Sequence, residues 1–218
     1  MPRGGYRKVS DLPVVIPVFP LDGVLLLPGG QTHLNIFEPR YLNMVDDAMA
    51  GERLIGMIQT DDGGRARPKL AHVGCAGRIT SYTETGDGRY LITLTGVCRF
   101  GLGDELPANT PYRQVVADFA RYSSDLEPDE QGIEFERAPF LAVLRRYLDH
   151  KGLGVEWEAV NAAPGGALIN SLCMALPLNV AEKQALLEAP TLDERRCALT
   201  ALLEIDAAED DDAPPSVQ

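Results

Sequence analysis

Two kinds of apolar periodicity divide this chain. From residue 14 to about 121, apolar residues come in short runs cut by Gly and Pro, the pattern of strands joined by tight turns. The runs predict strands at 14–19, 24–27, 32–37, 53–59, 72–82, 89–95, 97–103 and 112–121. Within 89–95, Tyr90, Ile92 and Leu94 share one face and alternate with Arg89, Leu91, Thr93 and Thr95, as in a strand with one strongly buried side. Gly86-Asp87-Gly88 predicts a hairpin turn. One helix interrupts the strands at about 39–50, where Tyr41, Leu42, Val45, Ala48 and Met49 recur at helical spacing. Pro39 suits its first position and Gly51 its C-terminal cap. Many short strands around one helix predict a small closed or pseudo-closed barrel, whose closure removes exposed edges.

Beyond an acidic, turn-rich break at 122–132 the period becomes helical. Phe140, Leu141, Leu144, Tyr147 and Leu148 line one face of a helix that ends near Gly152. Apolar helical content resumes from Trp157 to Leu176 and is broken at Pro164-Gly165-Gly166. Asn179 precedes Glu182 by three residues and Thr191 precedes Glu194 by three, so each pair predicts a reciprocal cap at a helix start. The last helix is expected from Leu192 to Ile205, and its leucines suggest packing or self-association. The expected organisation is a flexible arm at 1–12, a β-rich barrel at 13–121, a linker at 122–132, a helical subdomain at 133–206 and an acidic disordered tail at 207–218.

Charge narrows the partners. The chain carries 20 basic and 32 acidic side chains, a net charge of −12, which argues against sequence-independent nucleic-acid binding and against anionic membranes. A local patch at Arg65, Arg67 and Lys69 is read as a solvated loop. No apolar run approaches the roughly 20 residues of a membrane helix, and the N-terminus has no apolar core of a secretory signal. A cytoplasmic location is expected. Cys75, Cys98, Cys173 and Cys197 form no C-x-x-C pair and sit in apolar contexts, so buried reduced thiols are expected.

Catalytic apparatus is not evident in these 218 residues. The chain has no Gly-Lys dipeptide and hence no P-loop, and no G-x-S-x-G elbow. Ser171 and Lys183 fall on successive expected helices and are read as a chance pair. His33, His72 and His150 are scattered over strand, strand edge and helix end, whereas a metal site needs converging ligands. No cofactor or metal is expected. Gly29-Gly30 could cradle an anion, but a plain turn is the simpler reading because no Lys or Arg is near in sequence. At the strand-to-helix junction, Phe37, Glu38, Arg40 and Tyr41 are the candidate binding residues. Arg40 would be a bidentate donor and Phe37 or Tyr41 an apolar contact. The competing reading, which we favour, makes Glu38 and Arg40 a brace and Phe37 and Tyr41 core. The acidic run Glu209-Asp210-Asp211-Asp212 reads as a solvated tail.

Several segments in order resemble one family. PVFPLDGVLLLPGG and LNIFEPRYLNMVDDAM, then IGMIQ, VGCAGRI, DGRYLITLTGVCRF and PYR, then NSLCMALPL and AEKQALLEAPTLDERR, are similar to the landmarks of the Lon substrate-binding domain, the N-terminal module of ATP-dependent Lon proteases. The resemblance covers about residues 14–206. It implies an α+β fold, a PUA-like β pseudo-barrel with one inserted helix followed by a C-terminal α-helical subdomain. It further implies a non-enzymatic protein- or peptide-binding module, an adaptor whose partners are unfolded or partly unfolded proteins and a protease, with a homo-oligomer as one possible state. A small-molecule- or RNA-binding protein is the alternative, because PUA-like barrels elsewhere bind RNA.

Overall fold

The structure, a computed structural model, describes residues 5–60, 68–107, 109–127 and 135–209. Six strands follow the Gly- and Pro-punctuated runs: β1 (Val15–Pro20), β2 (Gln31–Ile36), β3 (Leu54–Thr60), β4 (Leu70–Glu84), β5 (Tyr90–Glu105) and β6 (Arg113–Asp118). Helix α1 (Pro39–Ala50) lies between β2 and β3 and buries Tyr41, Val45 and Ala48 of the predicted stripe together with Met44, while Leu42 and Met49 are half-buried. Strand β1 pairs in parallel with β3, and the pairings β3–β4, β4–β5, β5–β6 and β6–β1 are antiparallel. These five strands therefore form a ring of pairings, and β2 joins outside it along the first half of β5. Register shifts at Ala76/Gly77 and Ile79/Ser81 bend the long β4–β5 hairpin, as bulges do. Phe100 fills the ring's interior because Gly74 faces it without a side chain; a Cβ there would stand 2.6 Å from the Phe100 ring.

Two expectations fail together, and for one reason. Residues 24–27 form no strand, and 89–95 and 97–103 are one strand rather than two. Leu25, Leu26 and Leu27 are buried, but the segment after them hooks onto Gly96: Gly29 donates to the Gly96 carbonyl at 2.9 Å, and Gly96 donates to the Gly30 carbonyl at 2.9 Å. A Cβ at Gly96 would overlap the Leu27 carbonyl. Gly96 therefore marks a close approach of two backbones inside a continuous strand, not a break. The same bonds, with Gly30 N–H donating to Leu27 O at 2.9 Å, occupy the amides that an anion cradle would need.

The second half is helical: α2 (Arg137–Lys151), α3 (Trp157–Ala162), α4 (Gly165–Ala175), α5 (Val180–Glu188) and α6 (Leu192–Glu209). Gly152 ends α2 in the left-handed conformation at φ 63°. Both expected caps form. Glu182 N–H donates to Asn179 Oδ1 at 2.9 Å and Asn179 N–H to Glu182 Oε2 at 2.8 Å. Glu194 N–H donates to Thr191 Oγ1 at 3.2 Å and Thr191 N–H to Glu194 Oε2 at 3.0 Å. Arg137 ties α2 to the end of α3 by donating to the Val160 and Ala163 carbonyls at 2.7 and 2.8 Å. Of the α6 leucines that suggested packing or self-association, Leu199 and Leu203 are fully buried and Leu192 and Leu202 are half-buried. They fill the helical core, where α6 packs on α2, α4 and α5.

Two corrections concern segments expected to be loose, and a third concerns a cysteine. Residues 5–12 are packed: Tyr6 and Leu12 are buried, Val9–Asp11 form a 3-10 turn, and the Arg78 guanidinium lies over the Tyr6 ring. The first part of the acidic break is a 3-10 helix, Ala120–Leu126, that buries Tyr122 and Leu126. Its Asp125 meets a buried cation. Cys197, expected to be buried, is exposed, while Cys75, Cys98 and Cys173 are buried. Residues 128–132 of the break and 210–218 of the tail lie outside the described residues.

The cation opposite Asp125 is Arg99 on β5, which joins the two halves of the molecule. Its Nε and Nη2 donate to the two Asp125 oxygens, each at 2.9 Å. Its Nη1 donates to the Leu187 and Ala189 carbonyls at 3.1 and 2.6 Å, and Nη2 also reaches Pro190 O at 3.3 Å. The guanidinium lies 4.5 Å from the Tyr122 ring centroid. Burial alone would lower the Arg99 pKa, but the Asp125 carboxylate outweighs it and holds the value above the ordinary one. Arg195 of α6 works beside it, donating to Leu186 O at 2.8 Å and to Asn170 Oδ1 at 2.9 Å. Desolvation, and then the nearby Arg99 charge, push its pKa down to about 10.

Removing one partner of a buried pair strands the other charge, a loss of about 3–5 kcal/mol. Asp125→Ala should lower the unfolding free energy in urea by about that amount, whereas Arg40→Ala, at an exposed pair, should change it by less than about 1 kcal/mol. A loss at Asp125 no larger than that at Arg40 would contradict the brace. Thiol reactivity gives a second check. Burial pushes Cys75 well above its ordinary value and Cys173 up to about 12, and the thiolate is the nucleophile. A thiol reagent should therefore label Cys197 quickly in the native protein and all four cysteines only after unfolding. Fast labelling of a second thiol in the native state would overturn the assignment.

Candidate functional site

The four sequence-predicted residues sit together where β2 passes into α1, but they divide by role. Tyr41 is buried with its ring edge-on to Phe19, centroids 4.3 Å apart, so it belongs to the core. Arg40 Nη2 meets Glu38 Oε2 at 2.8 Å, and its guanidinium lies 4.5 Å from the Tyr41 ring centroid. The pair is half exposed and braces the junction. Phe37, expected in the core, is instead 61% exposed. The reason is parity: it continues the outward face of β2, after His33 and Asn35, which are exposed. Leu91, cross-strand from Asn35, is also exposed, and the Arg89 guanidinium lies 5.7 Å from the Phe37 ring. Phe37 and Leu91 make a small apolar spot flanked by charge.

A larger feature lies where α5 crosses the far end of β3 and the start of β4. It is a cleft of about 510 Å³ lined by Asp22, Gln59, Thr60, Ala71, Val180, Ala181, Gln184, Ala185 and Glu188. Its wall is a closed polar network. Gln59, at the end of the apolar run of β3, is 2% exposed. Its Oε1 accepts from Gly23 N–H at 3.1 Å, and its Nε2 donates to Val180 O at 3.1 Å and Gln184 Oε1 at 3.0 Å. Gln184 Nε2 donates in turn to Val73 O at 3.1 Å and Glu188 Oε1 at 2.7 Å. Asp22 accepts from Thr60 N–H at 2.7 Å and from its hydroxyl at 2.8 Å. Lys183 donates to Gly23 O at 2.8 Å from a buried position, and desolvation lowers its pKa. The turn that joins β1 to the leucine segment is thereby fastened to both the barrel and α5.

These bonds decide what the cleft can do. Both amide side chains are committed to the wall, and buried amides so committed hold a shape. The groups left facing the cleft are the apolar Ala71, Val180, Ala181 and Ala185 and the carboxylates of Asp22 and Glu188. Lys183 is turned to Gly23 and Ser171 is exposed on α4, so the pair singled out in the sequence does not form a dyad. Among the described residues, no group of three or more His, Cys, Asp or Glu side chains is placed to hold a metal. His33 meets Thr93 Oγ1 at 3.0 Å on β2. His72 lines a smaller hollow of about 290 Å³ with Lys69 and Arg113, where Arg113 is paired bidentately with Glu105 at 2.9 and 2.7 Å. Arg65 and Arg67 lie outside the described residues. No helix among the described residues is long and apolar enough to cross a membrane.

Sequence reasoning missed the cleft. Its residues come from four segments, the turn at Asp22, β3, β4 and α5, and the one local signal was Gln59, an amide closing an otherwise apolar strand.

Comparison with known proteins agrees with this architecture. The sequence matches the ATP-dependent protease La (LON) substrate-binding domain over residues 15–204. It is 28% identical over 194 residues to the Lon protease of Flavobacterium johnsoniae, covering 85% of this chain and 23% of that protein. It is 29% identical over 210 residues to the Lon protease of Parabacteroides distasonis, covering 91% of this chain and 24% of that protein. The chain thus spans about a quarter of the length of the curated relatives it matches. Among solved structures, a Lon N-terminal domain protein from Xanthomonas campestris superposes with a TM-score of 0.62 at 25% identity, covering 86% of this chain and 97% of that one. The N-terminal domain of a Mycobacterium avium complex Lon protease shares the fold, with a TM-score of 0.62 at 18% identity, over 87% of this chain and 98% of that one. Barrel, inserted helix and helical subdomain all fall within the matched span, and this chain belongs to the Lon substrate-binding domain family.

Proposed function

We propose that this chain is a non-catalytic polypeptide-binding module, an adaptor that holds exposed segments of unfolded or partly unfolded proteins in the cytoplasm and presents them to a protease. The observation that carries this reading is the cleft between barrel and α5, in a domain of a substrate-binding family. A groove with apolar side chains set among polar groups that are bonded to one another suits an extended chain more than a folded surface. The polar atoms of its wall are already bonded to one another, so burying it under a client strands few donors. The spot at Phe37 and Leu91 offers a second, smaller contact for the same chain.

The reading is tested with one labelled protein in two states. Its reduced and alkylated, unfolded form should bind in fluorescence anisotropy, and its native form should not. Ala185→Trp, at an exposed position on α5, should fill the cleft and weaken that binding about tenfold, a loss of ~1.4 kcal/mol, with thermal stability unchanged. Equal binding of both states, or none of either, would overturn the proposal.

A further inference from the structure

We propose that the cleft selects a basic side chain, so that the segments it takes carry a Lys or Arg among apolar residues. This rests on the polypeptide-binding reading and names the chemistry of the occupant. The argument comes from what the cleft has left over. Gln59 and Gln184 are spent on one another and on the Gly23, Val73 and Val180 backbone. Two carboxylates remain in its lining. Glu188 accepts one bond, from Gln184, and Asp22 accepts from Thr60. A carboxylate has about four acceptor positions, so both retain capacity for a cation. Neither forms an ion pair among the described residues, and no Lys or Arg lines the cleft. The other uncommitted lining residues are apolar: Ala71, Val180, Ala181 and Ala185.

A Lys or Arg side chain has the matching shape. Its alkyl stem covers apolar surface while its head seeks anions and water. The alanines leave room for the stem, and the carboxylates supply the partner charge. The whole chain reinforces the choice, because a net charge of −12 draws cationic segments and repels acidic ones.

The test uses a short fluorescein-labelled peptide of alternating Val and Ser with one central Lys, and counterparts with norleucine or Glu at that position. The Lys peptide should bind about tenfold more tightly than the norleucine peptide, and the Glu peptide should bind least. Glu188→Gln keeps an acceptor for Gln184 and removes the charge, and Asp22→Asn does the same toward Thr60. Each should reduce the Lys preference, read as the ratio of Lys to norleucine peptide affinity within the same variant, several-fold. Raising salt from about 0.05 to 0.5 M should also erode the preference. Equal binding of Lys and norleucine peptides, or a preference untouched in both variants, overturns the inference, and the polypeptide-binding proposal stands if the unfolded protein still binds. If the unfolded protein binds but no peptide does, the inference fails alone. If nothing binds, both fail. If Glu188→Gln instead shifts a monomer–dimer equilibrium in sedimentation, the occupant is a second copy and the inference is overturned.

Discussion

A guanidinium buried at the end of a helix organises this molecule. Helix α5 stops at Glu188, and the last carbonyls of any helix lack intrahelical partners and carry partial negative charge. Arg99 reaches across from β5 to bond Leu187 and Ala189, and Arg195 bonds Leu186 from α6. Burying a cation there is unfavourable without compensation, and Asp125 supplies it with two bonds. One side chain thus ties together a barrel strand, a 3-10 helix and the helical subdomain. Where α5 sits relative to β3 and β4 follows from that tie at one end and from the Asn179–Glu182 cap and Gln59 at the other.

The cleft is a consequence of this placement. Helix α5 is held over the end of β3 by an amide network whose atoms are nearly all used up, which leaves apolar side chains and two carboxylates lining the cleft. A wall whose polar groups are already bonded would lower the entropic cost of the binding we propose, because less of the site would have to be ordered. The Phe37 spot differs in kind. It is a solvent-exposed ring on a strand face, with its neighbours Glu38 and Arg40 paired to each other and Tyr41 withdrawn into the core.

Much of the fold could be read from the chain because its rules are local. The Asn179–Glu182 and Thr191–Glu194 spacings state their helix starts within four residues, and Gly152 ends α2 by its own backbone freedom. What escaped depends on contacts between distant segments. Leu25 to Leu27 look like a strand because they are buried, yet their neighbours' amides bond Gly96 rather than a ladder. Arg99 sits in VCRFG, where nothing local separates a buried arginine from an outward one. The 3-10 helix looked like a solvated linker because its acidic residue is balanced by a cation 26 positions away. The cleft gathers Asp22, Gln59 and Glu188, and no short window of sequence contains them all.

The most direct test of the account is where a bound client protects the backbone. Hydrogen exchange should be followed with and without a saturating unfolded protein. The account predicts added protection in α5 and at the Thr60 and Ala71 ends of β3 and β4, with the Arg99 strand unchanged. Protection confined to Phe37–Tyr41, or spread over the outer face of α6, would contradict the cleft as the binding surface.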